Sequence, residues 1–131
     1  MPEGEREHGR AGGRTEVQRR SHVLEARLQK LEELRRRGVE PYAYRYDVRD
    51  HAAPAREAFA AAEAAGRLED GMGPAVRLGG RLLSIRAHGK ASFADLVDGT
   101  GRIQLHFRVD ELGAERYGLL ELLDIGDWIG V

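Results

Sequence analysis

Strict alternation of apolar and polar residues in Ile103-Gln104-Leu105-His106-Phe107-Arg108-Val109 dictates a strand with one dry face and one wet face. Asp98-Gly99-Thr100-Gly101, just upstream, is a turn signal, and the run before it offers Ala94 and Leu96 as apolar partners. If Asp98 lies opposite Gly101, Ala94 faces Leu105 and Leu96 faces Ile103, so the apolar rows coincide. The same register sets Phe93 opposite His106 and Asp95 opposite Gln104. In the preceding segment, Leu83 and Ile85 are expected on the dry face, with Ser84 and Arg86 on the wet one. A phenylalanine ring therefore stands on the polar face among Arg86, Asp95, Gln104 and His106.

Two readings of that ring stand side by side. An aromatic among arginine and amide groups has the composition of a base-stacking platform: any nucleobase offers a π-face to the ring, and Arg and Gln can bond its edge or its phosphate. The alternative is that another part of the chain covers Phe93 and the ring simply packs, as most aromatics do.

The chain has 131 residues, enough for one compact domain with appendages. Residues 1–14 are rich in Gly, Arg and Glu and bury too little to offset their conformational entropy, which predicts a disordered tail. Residues 15–74 read as a helical extension with a tyrosine strap. Thr15 and Gln18 fit a capping box, and Val17, Leu24, Leu28, Leu31 and Leu34 recur at helical intervals. Gly38 and Pro41 end the pattern. Along this helix seven basic residues face four acidic ones. The run is either a solvated, salt-bridged face or a rail for a phosphate backbone, with Arg35, Arg36 and Arg37 the candidate phosphate contacts. Pro41-Tyr42-Ala43-Tyr44-Arg45-Tyr46-Asp47 is an extended strap expected to pack its rings on a sheet. An alanine-rich second helix is expected over 50–66, and a loop over 69–74.

The sheet is expected to begin at about Ala75, and Gly79-Gly80 is the place for a bulge or sharp coil. Gly89-Lys90 lies in a loop and lacks the further glycines and hydroxyl of a phosphate-binding loop. A helix is expected over 110–124, with Tyr117, Leu119, Leu120 and Leu123 inward, and a fourth strand starts at Trp128. Three strands, a helix and a strand is the order of the OB-fold, a Greek-key barrel of five strands. The fold class is thus α+β: N-terminal helices followed by an incomplete OB-fold β-barrel over 75–131, with its fifth strand wanting.

The formal net charge of −1 gives no global sign of a nucleic-acid partner, so any basic surface is local. Absence of cysteine excludes disulfides, cysteine-based zinc sites and thiol catalysis. His8 and His22 have no partner at a metal-ligand spacing. No apolar run has the length of a membrane span, and a cytoplasmic location is expected.

Leu31-Glu32-Glu33-Leu34 through the strap to Asp47, Gly80-Arg81-Leu82-Leu83-Ser84-Ile85-Arg86 and Gly89-Lys90-Ala91-Ser92-Phe93-Ala94-Asp95-Leu96 form a set of motifs, which Asp98 through Leu105 and Leu122-Leu123-Asp124-Ile125-Gly126-Asp127 extend. On these residues the chain resembles the N-terminal region of bacterial class II lysyl-tRNA synthetases. The resemblance implies an anticodon-binding OB domain of a lysine–tRNA ligase, a homodimer in full length. Phe93 would stack on the central uridine of a lysine anticodon, Gln104 would read that base's edge, and Arg86 would hold the base or its phosphate. Lesser roles fall to His106 and Lys90. The family's catalytic motifs are not among these residues, so no catalytic or metal-binding residue is assigned; ATP and Mg2+ are implied for the full-length enzyme, and none in this stretch. Aspartyl and asparaginyl enzymes share the Arg, Phe and Gln set, and the strap with the Gly89–Leu96 run favours lysine. A stand-alone OB module binding tRNA or single strands without chemistry, and a purely structural or assembly role, are the alternatives.

Overall fold

Helix α1, Glu16–Arg36, opens on a reciprocal cap: Thr15 Oγ1 accepts from the Gln18 N–H at 3.3 Å, and Gln18 Oε1 accepts from the Thr15 N–H at 2.9 Å. The computed structural model describes residues 15–131, so the tail expected over 1–14 lies outside the described residues. Of the apolar stripe on α1 only Leu31 and Leu34 are half-buried, while Val17, Leu24 and Leu28 stay exposed. The carboxyl-terminal half of α1 is anchored by Lys30 Nζ, 2.5 Å from Asp124 Oδ1, and Arg37 lies beside Gly118.

Helix α2, Ala52–Ala64, receives its cap from a distant loop. His51 precedes it without a side-chain cap; instead the Ala52 N–H donates to Asp98 Oδ2 at 2.8 Å and the Ala53 N–H to Thr100 Oγ1 at 3.0 Å. Two of the orphan donors that every helix start leaves are thereby satisfied from 46 and 47 residues away. The Asp98 carboxylate also accepts from the Thr100 N–H at 2.8 Å, the Thr100 hydroxyl at 2.6 Å and the Gly101 N–H at 3.2 Å.

Four antiparallel strands form one sheet in the order β3-β2-β1-β4: β1 Gly79–His88, β2 Ala91–Val97, β3 Arg102–Arg108 and β4 Trp128–Gly130. The β2–β3 register is the one the turn dictates, with Ala94 opposite Leu105, Leu96 opposite Ile103 and Phe93 opposite His106. Between β1 and β2, Leu82 pairs with Leu96 and Ser84 with Asp95, so Leu83 is a bulge residue. The expectation that Leu83 shares the dry face with Ile85 is corrected accordingly: Leu82 is buried there and Leu83 is exposed. Gly80 sits where a Cβ would come within 2.5 Å of the Val97 carbonyl oxygen, which accounts for a glycine inside the strand.

The dry face carries the core: Leu78, Leu82, Ala94 and Leu96 are buried, and Ile85, Ile103, Leu105, Phe107, Leu123 and Ile129 pack around them. Among the described residues the wet face is covered only at one end. There Tyr46 lies over Gly130 and donates its hydroxyl to the Val131 carbonyl at 3.1 Å, while Val48 lies against Gly79. Tyr42 and Tyr44 remain exposed, so one ring of the strap packs on the sheet and two do not. The strand itself starts at Gly79 rather than Ala75. The single helix expected over 110–124 is broken into α3 Val109–Leu112, α4 Ala114–Gly118 and a 3₁₀ turn Leu119–Leu122, because Gly113 adopts φ 80°.

Burial pushes the Asp98 carboxyl pKa up, but hydrogen bonds from the Thr100 hydroxyl and from the N–H groups of Ala52, Thr100 and Gly101 outweigh it and hold it at about 2, below the ordinary 3.8. Because the folded value is depressed, Asp98 contributes its full stabilisation above pH 3.8, and that contribution fades as pH falls toward 2. Asp98→Ala is expected to lower stability at neutral pH by about 1–2 kcal/mol, the cost of a lost helix cap. It should also flatten the acid limb of a plot of Tm against pH over that window. Faster exchange of the Ala52 and Ala53 amides, with the α1 amides unaffected, would locate the effect at the start of α2.

Candidate nucleic-acid interface

Register and pleat place three cross-strand rows on the wet face. The first is Arg86–Phe93–His106, the second Ser84–Asp95–Gln104 and the third Arg81–Val97–Arg102, which Trp128 of β4 extends beyond Arg81. Phe93 and His106 stack with ring centroids 4.4 Å apart and planes 5° from parallel. One face of the Phe93 ring is therefore taken by the imidazole, and Arg86 is its neighbour on the other strand. Phe93 is half-buried, in contrast to Ala94 and Leu96, the core positions on the same strand. Among the described residues no other element covers the ring in place of the sheet's own neighbours.

In the second row the Ser84 hydroxyl donates to Asp95 Oδ2 at 2.8 Å, which engages one oxygen of that carboxylate. Gln104 is exposed, and its amide has no hydrogen-bond partner among the described residues. Arg86 is exposed and likewise unpaired among the described residues, so its guanidinium donors stay available. Lys90 projects from the two-residue hairpin Gly89-Lys90, whose Gly89 has φ 60°, at the end of the sheet nearest the first row. Arg86, Phe93, Gln104 and His106 are thus brought together on one face, with Lys90 at its rim.

The arginine triplet is not brought to this face. Arg37 Nε lies 2.6 Å from Glu33 Oε1, Arg36 bonds the other oxygen, and the docking of α1 runs through Lys30 to Asp124. Hydrogen bonds from Arg37 and then Arg36 hold the Glu33 carboxyl below its ordinary value. Arg35 alone of the three is exposed with no ion pair among the described residues.

Two features escape a reading of the sequence. Tyr117 of α4 donates its hydroxyl to the Gly89 carbonyl at 3.0 Å and accepts from the buried Ser92 hydroxyl at 2.7 Å, tying the hairpin tip to the strand that carries Phe93. Its position marks it as inward, but nothing in the spacing signals the hydroxyl's partners. The Arg81 guanidinium carbon lies 4.9 Å from the centroid of the exposed Trp128 ring, a contact made through the β1–β4 pairing of these two residues. Among the described residues no group of acids and histidines could hold a metal ion, and no helix is long and apolar enough to cross a membrane.

Residues 76–131 match the tRNA anti-codon family, described as an OB-fold nucleic acid binding domain. This part of the chain has the OB-fold. A lysine–tRNA ligase of Moorella thermoacetica is 45% identical over 109 residues, covering 83% of this chain and 20% of that protein. The lysine–tRNA ligase of Syntrophomonas wolfei is 42% identical over 111 residues, 85% of this chain and 21% of that protein. One from Methanoculleus marisnigri is 42% identical over 107 residues, 81% and 20% of the respective chains. The chain thus spans about a fifth of the length of the curated relatives it matches. The exposed face of the OB-fold sheet is where the free arginine, amide and ring lie together.

Removing the Tyr117 hydroxyl leaves a buried Ser92 hydroxyl and a turn carbonyl short of partners. Tyr117→Phe is expected to cost about 1–3 kcal/mol in chemical denaturation, the desolvation penalty of an unpaired buried group. Amide exchange should quicken at Gly89–Ser92. Exchange unchanged in this hairpin would show that the hydroxyl holds nothing in place.

Proposed function

We propose that residues 75–131 read the anticodon loop of a lysine tRNA and that residues 15–74 are an extension docked beside them. In this reading the chain is the anticodon-binding part of a class II lysine–tRNA ligase, cytoplasmic and homodimeric, whose ATP- and Mg2+-dependent activation of lysine takes place outside these residues. Support comes from the family match over 76–131 and from relatives named lysine–tRNA ligase. The observation that carries the reading is the Phe93 ring, backed by His106 on one side and set between two unpaired groups, Arg86 and Gln104.

The chemistry follows from that arrangement. A base stacks on the Phe93 face turned away from His106, where the paired rings present a rigid, pre-oriented surface and little side-chain entropy is lost. Gln104 offers both a donor and an acceptor: with its oxygen toward N3–H and its nitrogen toward O4 it matches a uracil edge, and a cytosine edge, which reverses both groups, is matched only after the amide turns over. Arg86 supplies charge-assisted bonds to the base oxygen or to the adjoining phosphate, and Lys90 a point charge at the rim. The Ser84 bond to Asp95 keeps the carboxylate directed at a hydroxyl rather than at the incoming phosphates.

Phe93→Ala is expected to weaken binding of a lysine anticodon stem-loop by about ten- to a hundredfold, the worth of one stacked base, whatever the base. Gln104→Ala should narrow the gap between that loop and one whose central uridine is changed to cytidine. Arg86→Ala lowers affinity for both and flattens the salt dependence if it holds phosphate. Leu96→Ala, from the core, serves as the control that loses thermal stability without changing affinity per folded molecule. Phe93→Ala behaving like Leu96→Ala would sink the platform.

The triplet on α1 is proposed as a separate, sequence-blind phosphate contact. Arg35 is the member free to make it, since Glu33 holds Arg36 and Arg37. Arg35→Gln should reduce affinity for every tRNA alike and lower the slope of log affinity against log salt by roughly one. An unchanged slope assigns the helix to a solvated face.

A further inference from the structure

On the wet face, the row of Trp128, Arg81, Val97 and Arg102 has the same ingredients as the Phe93 row: an aromatic ring, flanking cations and, among the described residues, no covering element. Arg81 pairs directly with Trp128 across β1 and β4, and its guanidinium carbon lies 4.9 Å from the centroid of the indole. Trp128 is 69% exposed, so the cation occupies one face of the ring and the other is open to solvent. Arg102 is exposed at the far end of the row and its side chain has no ion pair among the described residues. Phe93 and Val97 are four steps apart along β2, so the two rows lie about 13 Å apart on one continuous surface. Tyr46 and Val48 close that surface just beyond Trp128, over Gly130 and Gly79.

We infer that Arg81 and Trp128 form a second stacking position, which takes another nucleotide of the same single-stranded RNA whose base rests on Phe93. The inference rests on the base-platform reading of Phe93. An indole presents a large π-face that accepts any base, and the guanidinium behind it both polarises the ring and stands within reach of a phosphate. Arg102, across Val97, meets the backbone on the other side. The second position adds affinity and fixes the direction of the strand across the sheet, because two stacked bases define a line where one does not. Base identity is left to Gln104, between the rows.

Trp128 is the one tryptophan of the 131 residues, so its emission reports on this position alone. The full chain is titrated with a lysine anticodon stem-loop while tryptophan emission and the anisotropy of labelled RNA are followed together. Quenching that saturates in step with anisotropy is expected. Trp128→Leu should weaken binding by about five- to a hundredfold, and Trp128→Phe should restore most of it. Replacing the loop bases one at a time by abasic sites should reveal a nucleotide, other than the one on Phe93, at which wild type and Trp128→Leu bind equally. Phe93→Ala is run in parallel. If Phe93→Ala weakens binding while Trp128→Leu does not, or emission stays unquenched at saturating RNA, the second position is overturned and the first stands. If neither variant weakens binding, both fall. An emission already blue-shifted in the free chain and unmoved by RNA would place a protein surface there instead, and likewise overturns the inference. Should Trp128→Leu fail to fold, the wild-type quench and the affinity of Trp128→Phe decide.

Discussion

One carboxylate ties together the parts of this molecule that are far apart in sequence. Asp98 accepts from its own turn and from the first turn of α2, and Thr100 passes the connection on by donating to Asp98 while accepting from Ala53. The turn sets the β2–β3 register, and the register sets which side chains share a face. The same oxygens hold α2 against the end of the sheet, where Ala55 joins the core. A negative group at a helix start also meets the positive end of the helix dipole, so electrostatics and hydrogen bonding act in the same direction.

The bulge at Leu83 has an equally specific effect. Positions 81 and 86 are an odd number of residues apart and would point to opposite sides of a regular strand. One extra residue between Leu82 and Ser84 turns both arginines to the wet face and leaves Leu82 and Ile85 both in the core. An arginine on the dry face would be a buried, unpaired charge, which the fold could not sustain. The irregularity thus gives the sheet a face with cations at both ends and a core without them.

How much of this is legible in the residues depends on the range of the interaction. The β2–β3 pairing can be read because turn and alternation are local and agree with one another. The capping box at Thr15 and Gln18 is local too, and it is present. The cap on α2 cannot be read, because its donors and acceptors lie on separate segments and each sequence signal is complete without the other. Bulge position is similarly hidden: Gly79-Gly80 advertises irregularity, but those glycines answer to close approach by Val48 and by the Val97 carbonyl, and the extra residue falls three positions on. The helix over 110–124 reads as continuous by apolar spacing, yet Gly113 takes a left-handed φ and breaks it. Of the candidate site, Arg86, Phe93, Gln104 and His106 follow from alternation alone, whereas Trp128 joins them only through a strand pairing that local patterning cannot announce. Burial of Leu31 and Leu34 but not of Val17, Leu24 and Leu28 shows that a periodic stripe marks a face and does not say how much of it is used.

Tyr46 gives the exposed face an end. Its ring occupies the space above Gly130 that a side chain would fill, and its hydroxyl is fixed to the Val131 carbonyl, so it cannot swing away without giving up a bond. At the opposite end the Gly89-Lys90 hairpin turns the chain back. Between these stops β1 runs ten residues, roughly 30 Å at about 3.3 Å per residue. Among the described residues the open surface is thus bounded by a wall at one end and a rim at the other, a gauge whose length is that of β1.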